Sequence, residues 1–120
     1  MSEPIAVVTG GAGFIGSHMV DVLLERGFAV RVIDNLQGGH KANLQHHAGN
    51  ADLACFWTDI RALEPGDPIF ENARYVFHFA GIGDIVPSIE RPLEYMDINV
   101  QGTVRVLECA RAANVKKLVY

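Results

Sequence analysis

Three glycines near the start of the chain have a spacing that would place backbone groups against a phosphate. Gly10, Gly13 and Gly16 lie between the apolar run 5–8 and a stretch with the apolar spacing of a helix. Glycines in a turn from strand to helix allow backbone N–H groups to approach a pyrophosphate. The helix that follows directs the positive end of its dipole at the same anion. A glycine run alone is also common in ordinary turns, so its context decides.

An acidic residue downstream supplies that context. Asp34 closes a second β-type run, residues 29–33, and follows Gly16 at the distance expected of a ribose-binding carboxylate. A carboxylate at this position accepts hydrogen bonds from both ribose hydroxyls, but it repels a 2′-phosphate, and no arginine follows it to compensate. The strand, loop, helix, strand and acid together predict a dinucleotide site and favour NAD over NADP.

The composition limits the class of protein. Hydrophobic residues make up 49% of the 120 residues, which is enough for one globular domain with a core. Ten basic against fourteen acidic residues give a net charge of −4, and the largest basic cluster is Lys116-Lys117. This balance argues against nucleic acid and against an anionic membrane surface as partners. No apolar stretch approaches the roughly 18 residues of a membrane-spanning helix, and the run after the N-terminus is too short for a signal peptide.

Neither the cysteines nor the histidines have the spacing of metal ligands. For Cys55 and Cys109 we expect two small buried side chains in a reducing, cytoplasmic setting, rather than a disulfide or a reactive thiol. His40, His46 and His47 lie in a polar loop, without a cysteine or carboxylate at ligand spacing beside them. We therefore expect no metal site.

Strand and helix patterns alternate along the whole chain. They predict strands over about 4–9, 28–34, 52–57 and 75–80 and from 117, helices over about 15–26 and from 92, and a weak helix over about 66–73. Loops are expected over 35–50, with one helical turn, and over 81–88. Repeated strand–helix units with short connections require a parallel sheet with helices on both faces. The expected strand order is 3-2-1-4-5, with the ligand crevice at the carboxyl ends of the first and fourth strands.

The last predicted helix is the longest. Pro92 suits its first turn. Its apolar residues share one face, as is typical of a helix that packs on a sheet. The members of that face are Met96, Val100, Val104 and Leu107, with Arg111 beside them.

Five short motifs follow one another along the chain. They are Thr9-Gly10-x-x-Gly13-x-x-Gly16, Asp34-Asn35-Leu36, Asp59-Ile60, His78-Phe79-Ala80-Gly81 and Asn99-Val100-x-Gly102-Thr103. Their order and spacing resemble those of the extended short-chain dehydrogenases/reductases, and most closely the NAD-dependent nucleotide-sugar epimerases and dehydratases of the UDP-glucose 4-epimerase type. The resemblance covers essentially the whole chain. It implies an α/β, doubly wound Rossmann fold, NAD as the cofactor, and a full-length homodimeric enzyme with a nucleotide-sugar substrate.

The resemblance also implies roles for single residues. The pyrophosphate would be surrounded by Gly10, Gly13, Phe14, Ile15 and Gly16. The adenosine ribose would be held by Asp34 and Asn35, and the adenine would be met by Asp59 and Ile60. The path to the nicotinamide would be lined by Phe79, Ala80 and Gly81, and the active-site loop would be braced by Asn99.

Several positions keep a structural alternative. Asp59 would equally cap the helix after it, and Asn99 would equally face solvent. His78 lies inside an apolar strand, where a hydrogen-bonded core histidine is favoured over a catalytic one. Ser88 is either an N-cap before residues 89–90 or a substrate contact.

The chain departs from the family's pattern at the catalytic residues. Relatives carry a Ser or Thr just after the fifth strand and a Tyr-x-x-x-Lys beyond it. There the tyrosine takes the proton of the sugar hydroxyl, and the lysine lowers the tyrosine pKa. Phe79 and Asn99 stand four residues after Tyr75 and Tyr95, and Tyr120 is the last residue. We therefore assign no catalytic residue.

Three functions remain open. The favoured one makes residues 1–120 the incomplete NAD-binding domain of a nucleotide-sugar epimerase or dehydratase, without the catalytic and substrate-binding part and inactive alone. The full enzyme would transfer a hydride from the sugar C4 to NAD, then return it to the opposite face or eliminate water. The second is a non-enzymatic NAD(P)-binding sensor or interaction module of the same fold. The third is a short-chain reductase that acts on another carbonyl.

Overall fold

The centre of the molecule is a sheet of five parallel strands. The computed structural model describes residues 3–83 and 85–120. The strands are β1 Ile5–Thr9, β2 Ala29–Ile33, β3 Leu53–Phe56, β4 Ala73–His78 and β5 Lys117–Val119. Their spatial order is β3-β2-β1-β4-β5, and every neighbouring pair is parallel. The predicted strand order and the doubly wound class are confirmed.

Helical segments connect these strands. The α-helices are α1 Phe14–Glu25, α2 Ile85–Glu90, α3 Pro92–Met96 and α4 Gly102–Ala112, and a π-helical turn, Asp97–Gln101, joins α3 to α4. The short 3₁₀ helices are Lys41–His47, Ile60–Ala62 and Pro68–Phe70. Within the described ranges, none of the helices combines the length and the apolar character needed to cross a membrane.

The two faces of β1 belong to two separate cores. Ala6 and Val8 are fully buried in the cluster that contains Val20 of α1. Val7 is fully buried in the other cluster, with Val106 of α4. Side chains of a strand alternate between its faces, so a central strand covered on both sides is apolar throughout. This explains the uninterrupted apolar run before the glycines.

The strand order reverses between β1 and β4. Thr9 and His78, at the carboxyl ends of these strands, lie opposite each other in the register. The connections to the next elements diverge from this point, one to each side of the sheet. A crevice at such a reversal is where open α/β sheets bind ligands.

The weak helix predicted over about 66–73 is wrong. Only the 3₁₀ helix Pro68–Phe70 forms there, and β4 already begins at Ala73. Gly66 and Asn72 have φ angles of +92° and +61°. A right-handed helix does not accommodate positive φ angles, so these two residues end any helix in this stretch.

The loop predicted over 81–88 is wrong in its second half, because α2 begins at Ile85. Asp84 lies outside the described residues. Ser88 stands inside α2, which excludes its interpretation as an N-cap. Val86 and Ile89 have the three-residue spacing of one helix face, and Pro87 falls in the first turn, where proline is tolerated.

The apolar face predicted to pack on the sheet is exposed. Met96, Val100, Val104 and Leu107 are between 45% and 57% exposed. A second set at helical spacing, Ile98, Gly102, Val106, Cys109 and Ala110, is buried instead. Gly102 explains the choice, since a Cβ there would lie 2.6 Å from Cδ1 of Ile60. The face with the smaller residues approaches its neighbours more closely.

Both cysteines are free thiols. Cys109 is buried, and its thiol donates a hydrogen bond to the carbonyl of Glu64 at 3.3 Å. Cys55 is only half-buried. Burial raises the pKa of both thiols, to about 11 for Cys109, which disfavours the thiolate.

Candidate functional site

Loops at the carboxyl edge of the sheet enclose a cleft of about 560 Å³, part of which is open to solvent. Its lining residues are Gly10, Gly13, Ile33, Asp34, Asn35, Gln37, Gly38, Gly39, Asp59, Ile60, Phe79, Ala80, Gly81, Ile82 and Ile98. We call it the cofactor cleft.

The glycine turn is packed tightly against the end of β4. Gly10 has a φ of +70°, and a Cβ there would lie 2.8 Å from the backbone of Phe79 and Ala80. A Cβ on Gly16 would overlap the carbonyl of Gly10. At Gly13 the nearest atom would be 3.3 Å away. Gly10 and Gly16 are therefore required by the fold, whereas Gly13 is a tight but tolerant position that faces the cleft.

The N-terminus of α1 has the features of an anion site. Its N-cap is Gly13, no side chain among the described residues caps it, and its first turn carries no acid. First-turn N–H groups lack intrahelical partners, and the helix dipole adds positive potential there. Phe14 and Ile15 are 79% and 65% exposed, so their backbone rather than their side chains would meet a phosphate.

Asp34 ties the glycine turn to the segment after β2. It is buried, and its Oδ2 accepts a hydrogen bond from the backbone N–H of Ala12 at 2.9 Å. Its Oδ1 accepts from the N–H of Leu36 at 2.7 Å. Each carboxylate oxygen accepts more than one hydrogen bond, so acceptor capacity remains on both. Asp34 fits a ribose diol and also holds the wall of the cleft together.

Residues 37–39 complete this wall and were not predicted from the sequence. A Cβ on Gly39 would lie 2.8 Å from the backbone of Ala12, so only glycine allows this approach. Beyond it, the N–H of His40 and the side-chain amide of Asn43 both donate to the carbonyl of Ala12, at 3.0 and 2.8 Å. The pair Gly38-Gly39 in a polar loop was the available signal.

Asp59, which follows the neighbouring strand β3, is held by Arg61. The guanidinium donates to both carboxylate oxygens of Asp59, at 3.0 and 2.7 Å, and to Asp97 at 2.8 Å. These hydrogen bonds lower the pKa of Asp59 to about 2. Asp59 also accepts from the N–H of Arg61 as the N-cap of Ile60–Ala62, and Asn35 donates to it at 3.3 Å. The capping alternative is thus present, in a residue that also lines the cleft.

A buried hydrogen-bond network fixes the ends of β1 and β4. Thr9 Oγ1 accepts from the N–H groups of Phe79 and Ala80, at 3.1 and 3.2 Å, so its proton points to Nδ1 of His78 at 2.6 Å. Nε2 of His78 then carries the proton and donates to Thr103 at 2.8 Å. Burial lowers the pKa of His78, consistent with this neutral tautomer. His78 is a hydrogen-bonded core histidine.

A second cavity, of about 780 Å³, adjoins the cofactor cleft along the segment 79–82. Its lining includes His78, Asn99 and Tyr120. The side-chain amide of Asn99 accepts from the N–H of Ile82 at 2.9 Å and donates to its carbonyl at 2.8 Å. Although Asn99 is exposed, it therefore braces the loop after β4.

The predicted site residues converge with few exceptions. Gly10, Gly13, Asp34, Asn35, Asp59, Ile60, Phe79, Ala80 and Gly81 all line the cofactor cleft. Gly16 lies beneath Gly10, Phe14 and Ile15 begin α1 beside the cleft, and Asn99 lines the second cavity. Sequence reasoning missed Ile33, Gln37, Gly38, Gly39, Ile82 and Ile98.

Residues 6–120 match the NAD dependent epimerase/dehydratase family. The chain belongs to this family, which confirms the resemblance drawn from its motifs and NAD as the family's cofactor.

Individual relatives agree with this assignment. The chain is 40% identical over 121 residues to UDP-glucose 4-epimerase 2 of Oryza sativa subsp. japonica, covering 95% of this chain and 30% of the relative. A UDP-N-acetylglucosamine 4-epimerase from Methanobrevibacter ruminantium, solved with UDP-N-acetylmuramic acid, superimposes with a TM-score of 0.90 at 32% identity, over 100% of this chain and 38% of that one. A dTDP-glucose 4,6-dehydratase from Streptomyces venezuelae, solved with NAD, gives 0.87 at 34% identity, over 97% and 38%. The chain spans about a third of the length of the curated relatives that it matches.

Proposed function

We propose that residues 1–120 are the incomplete NAD-binding domain of a nucleotide-sugar epimerase or dehydratase of the UDP-glucose 4-epimerase type. The observation that carries the proposal is the cofactor cleft, with an uncapped helix N-terminus on one side and the buried carboxylate of Asp34 on another. NAD bound there would supply the hydride acceptor. The residues of this chain bind and orient it.

The glycine turn would bind the pyrophosphate. The N–H groups of Phe14 and Ile15 begin α1 without a capping side chain. Gly10 and Gly16 allow the turn to close behind them, and Gly13 leaves the approach to the helix open. A dianionic group is favoured at such a helix end by both hydrogen bonds and the dipole.

Asp34 and Asn35 would hold the adenosine ribose, and Asp59 and Ile60 would meet the adenine. In the part of the chain that the structure describes, the cleft lining contains both carboxylates and neither a lysine nor an arginine. Arg61 is already committed to Asp59 and Asp97. The negative potential opposes a 2′-phosphate, which supports NAD over NADP.

The segment 79–81 would lead toward the nicotinamide. Phe79 and Ala80 have their N–H groups fixed on Thr9, and Asn99 fixes Ile82, two residues after Ala80. A rigid backbone here would help to orient the nicotinamide end of NAD, and the segment 79–82 lines both the cofactor cleft and the second cavity. We propose that this cavity is the part of the chain nearest the sugar.

The substrate class is a nucleotide sugar, because the similar proteins act on glucose or N-acetylglucosamine linked to UDP or dTDP. In the longer protein we propose hydride transfer from the sugar C4, followed by its return to the opposite face or by loss of water. The test is to incubate purified longer protein with NAD and UDP-glucose, UDP-galactose or dTDP-glucose, and to separate the products by chromatography. Interconversion or dehydration is expected. NAD binding without turnover of any of these sugars would contradict the enzyme and favour a non-catalytic module.

We also propose a homodimer in the longer protein and a reducing, cytoplasmic setting. The exposed apolar face of Met96, Val100, Val104 and Leu107 supports the first. The two free thiols support the second. Sedimentation of the longer protein, with Val104→Glu as the disrupting variant, tests the dimer.

A further inference from the structure

Three metal-ligating side chains converge on the surface away from the cofactor cleft. Asp21 belongs to α1, and His46 and His47 end the 3₁₀ helix Lys41–His47. One ligand atom from each of the three lies within 4.8 Å of the others. Nε2 of His46 is 2.8 Å, and Nε2 of His47 is 2.5 Å, from the same oxygen, Oδ1 of Asp21. None of the three lines the cleft.

Helix geometry alone does not produce this arrangement. Successive residues of a 3₁₀ helix project about 120° apart, because there are three residues per turn. Yet the rings of His46 and His47 have centroids only 4.0 Å apart, and both Nε2 atoms point to one carboxylate. Each ring is rotated toward α1, so the convergence is a property of the contact between the two segments.

The donor atoms suit one class of metal ion. A site with two imidazole nitrogens and one carboxylate oxygen is typical of Zn²⁺ with three protein ligands and an open position for water. Ligands about 2.0–2.1 Å from a tetrahedral Zn²⁺ are separated from one another by about 3.3 Å. The two N···O distances, 2.8 and 2.5 Å, are shorter than this by about 0.5 and 0.8 Å, so the side chains would have to move apart by that much to admit the ion in place of the protons now shared with Asp21.

We propose that Asp21, His46 and His47 form a site for a divalent transition metal, with Zn²⁺ as the ion of best fit. The side chains of His46 and Asp21 are 56% and 41% exposed, so an ion reaches them from solvent, while His47 is 15% exposed and held in place. Imidazole ligands select Zn²⁺, Cu²⁺ and Ni²⁺ over Mg²⁺ and Ca²⁺.

The bound ion would fasten the 3₁₀ helix to α1. At its other end this helix is already attached to the glycine turn, through Asn43 and Ala12. Metal binding therefore joins segments that are distant in sequence, and it stabilises the folded chain by RT ln(1 + [M]/Kd), where [M] is the free metal concentration. The proposal does not require the cofactor cleft to bind NAD.

The test uses the 120-residue chain without an affinity tag, stripped of metal by a chelator that is then removed. Calorimetric titration with Zn²⁺ is expected to give one ion per chain and a rise in the melting temperature. Co²⁺ is expected to develop visible d–d bands as it binds. The double variant His46→Asn/His47→Asn should bind at least ~10-fold more weakly, which is ~1.4 kcal/mol.

Two further variants make the result decisive. Asp21→Asn alters a different element, so it tests the site even where the double variant folds poorly. His18→Asn is the matched control, because His18 also lies in α1 and hydrogen bonds to the carbonyl of Phe14 instead. The proposal is overturned when no saturable binding occurs, or when Asp21→Asn and the double variant bind as tightly as the unaltered chain and His18→Asn.

Discussion

At the scale of single residues, Asp34 has a structural task in addition to the ribose contact that we propose for it. Its two oxygens already hold the N–H groups of Ala12 and Leu36. A variant that removes the carboxylate therefore changes the cleft wall as well as the ribose contact. Its effect on cofactor selection has to be separated from its effect on stability.

We expect the chain to bind NAD(H) more tightly than NADP(H), and Asp34→Ala to reduce this preference by about tenfold or more. The same substitution leaves the buried N–H of Ala12 without its acceptor, at about 1–3 kcal/mol, and the partly buried N–H of Leu36 as well, at a smaller cost. Calorimetry with both cofactors measures selectivity, and urea unfolding of each protein measures stability. Equal binding of the two cofactors by the unaltered chain would contradict the role given to Asp34.

Gly13 and Gly16 should respond differently to substitution. Gly13→Val is expected to abolish dinucleotide binding, because its branched side chain would keep the pyrophosphate away from the backbone of the turn. Helical circular dichroism should stay largely intact, because the nearest atom to the Cβ would be 3.3 Å away. Gly16→Ala is expected to unfold the chain, since its Cβ would overlap Gly10. Binding of NAD by Gly13→Val at the original affinity would reduce the glycine run to a simple turn.

His78 should make the fold less stable in acid. Burial lowers the pKa of His78 in the folded chain, so the unfolded chain binds a proton more readily. Its contribution is complete above the unfolded value, about pH 6.5, and is lost as the pH falls through the lower folded value. Urea unfolding at pH 7, 6 and 5 is expected to show a steeper loss for the unaltered chain than for His78→Gln, by up to ~1.4 kcal/mol per pH unit. Parallel slopes would show that His78 titrates normally.

At the scale of elements, sequence reasoning succeeded where the determinants are local. The glycine turn was predictable because the close contact that requires glycine joins Gly10 and Gly16, which are only a few residues apart in the sequence. Gly39 was missed because the reason for a glycine there is its close contact with the backbone of Ala12, which is distant in sequence and is brought near only by folding. Asp21 was missed for the same reason, since it comes from another helix than the histidines it meets.

The last helix was mispredicted because it carries two sets of apolar residues at helical spacing. Periodicity identifies both faces but does not rank them. Gly102 and its close neighbour Ile60 decide between them. The exposed face carries Met96, Val100, Val104 and Leu107, which the sequence pattern predicted to be the buried face.

The two faces of α4 should therefore differ in substitution energy. Val106 is fully buried and Val104 is 52% exposed. Val106→Ala is expected to lower the free energy of unfolding by about 1–3 kcal/mol, and Val104→Ala to change it by no more than about 0.5 kcal/mol. Urea unfolding of this matched pair gives both values. A larger loss for Val104→Ala would reverse the packing described for the helix.

At the scale of the whole molecule, the chain carries the proposed cofactor cleft but no Tyr-x-x-x-Lys pattern. None of its three tyrosines is followed four residues later by a lysine. General acid–base assistance contributes about 10²–10⁴-fold to such reactions.

We therefore expect no epimerase, dehydratase or dehydrogenase turnover from the 120 residues alone. Purified chain is incubated with NAD and UDP-glucose or UDP-galactose, and both sugars are followed by chromatography. The longer protein serves as the positive control. Turnover that copurifies with the 120-residue chain would mean that catalytic residues lie among those described here as scaffold.

Arg61 has a mechanical consequence for the cleft. Asp59 follows β3 on one half of the sheet, whereas Asp97 lies in the turn that leads into α4 and the other half. Because its guanidinium donates hydrogen bonds to both carboxylates, Arg61 links the segment after β3 to the turn before α4. We expect this link to hold Ile60 and Ile98, which line the cleft, at the separation found without a ligand, so that less of a ligand's affinity is spent on ordering them.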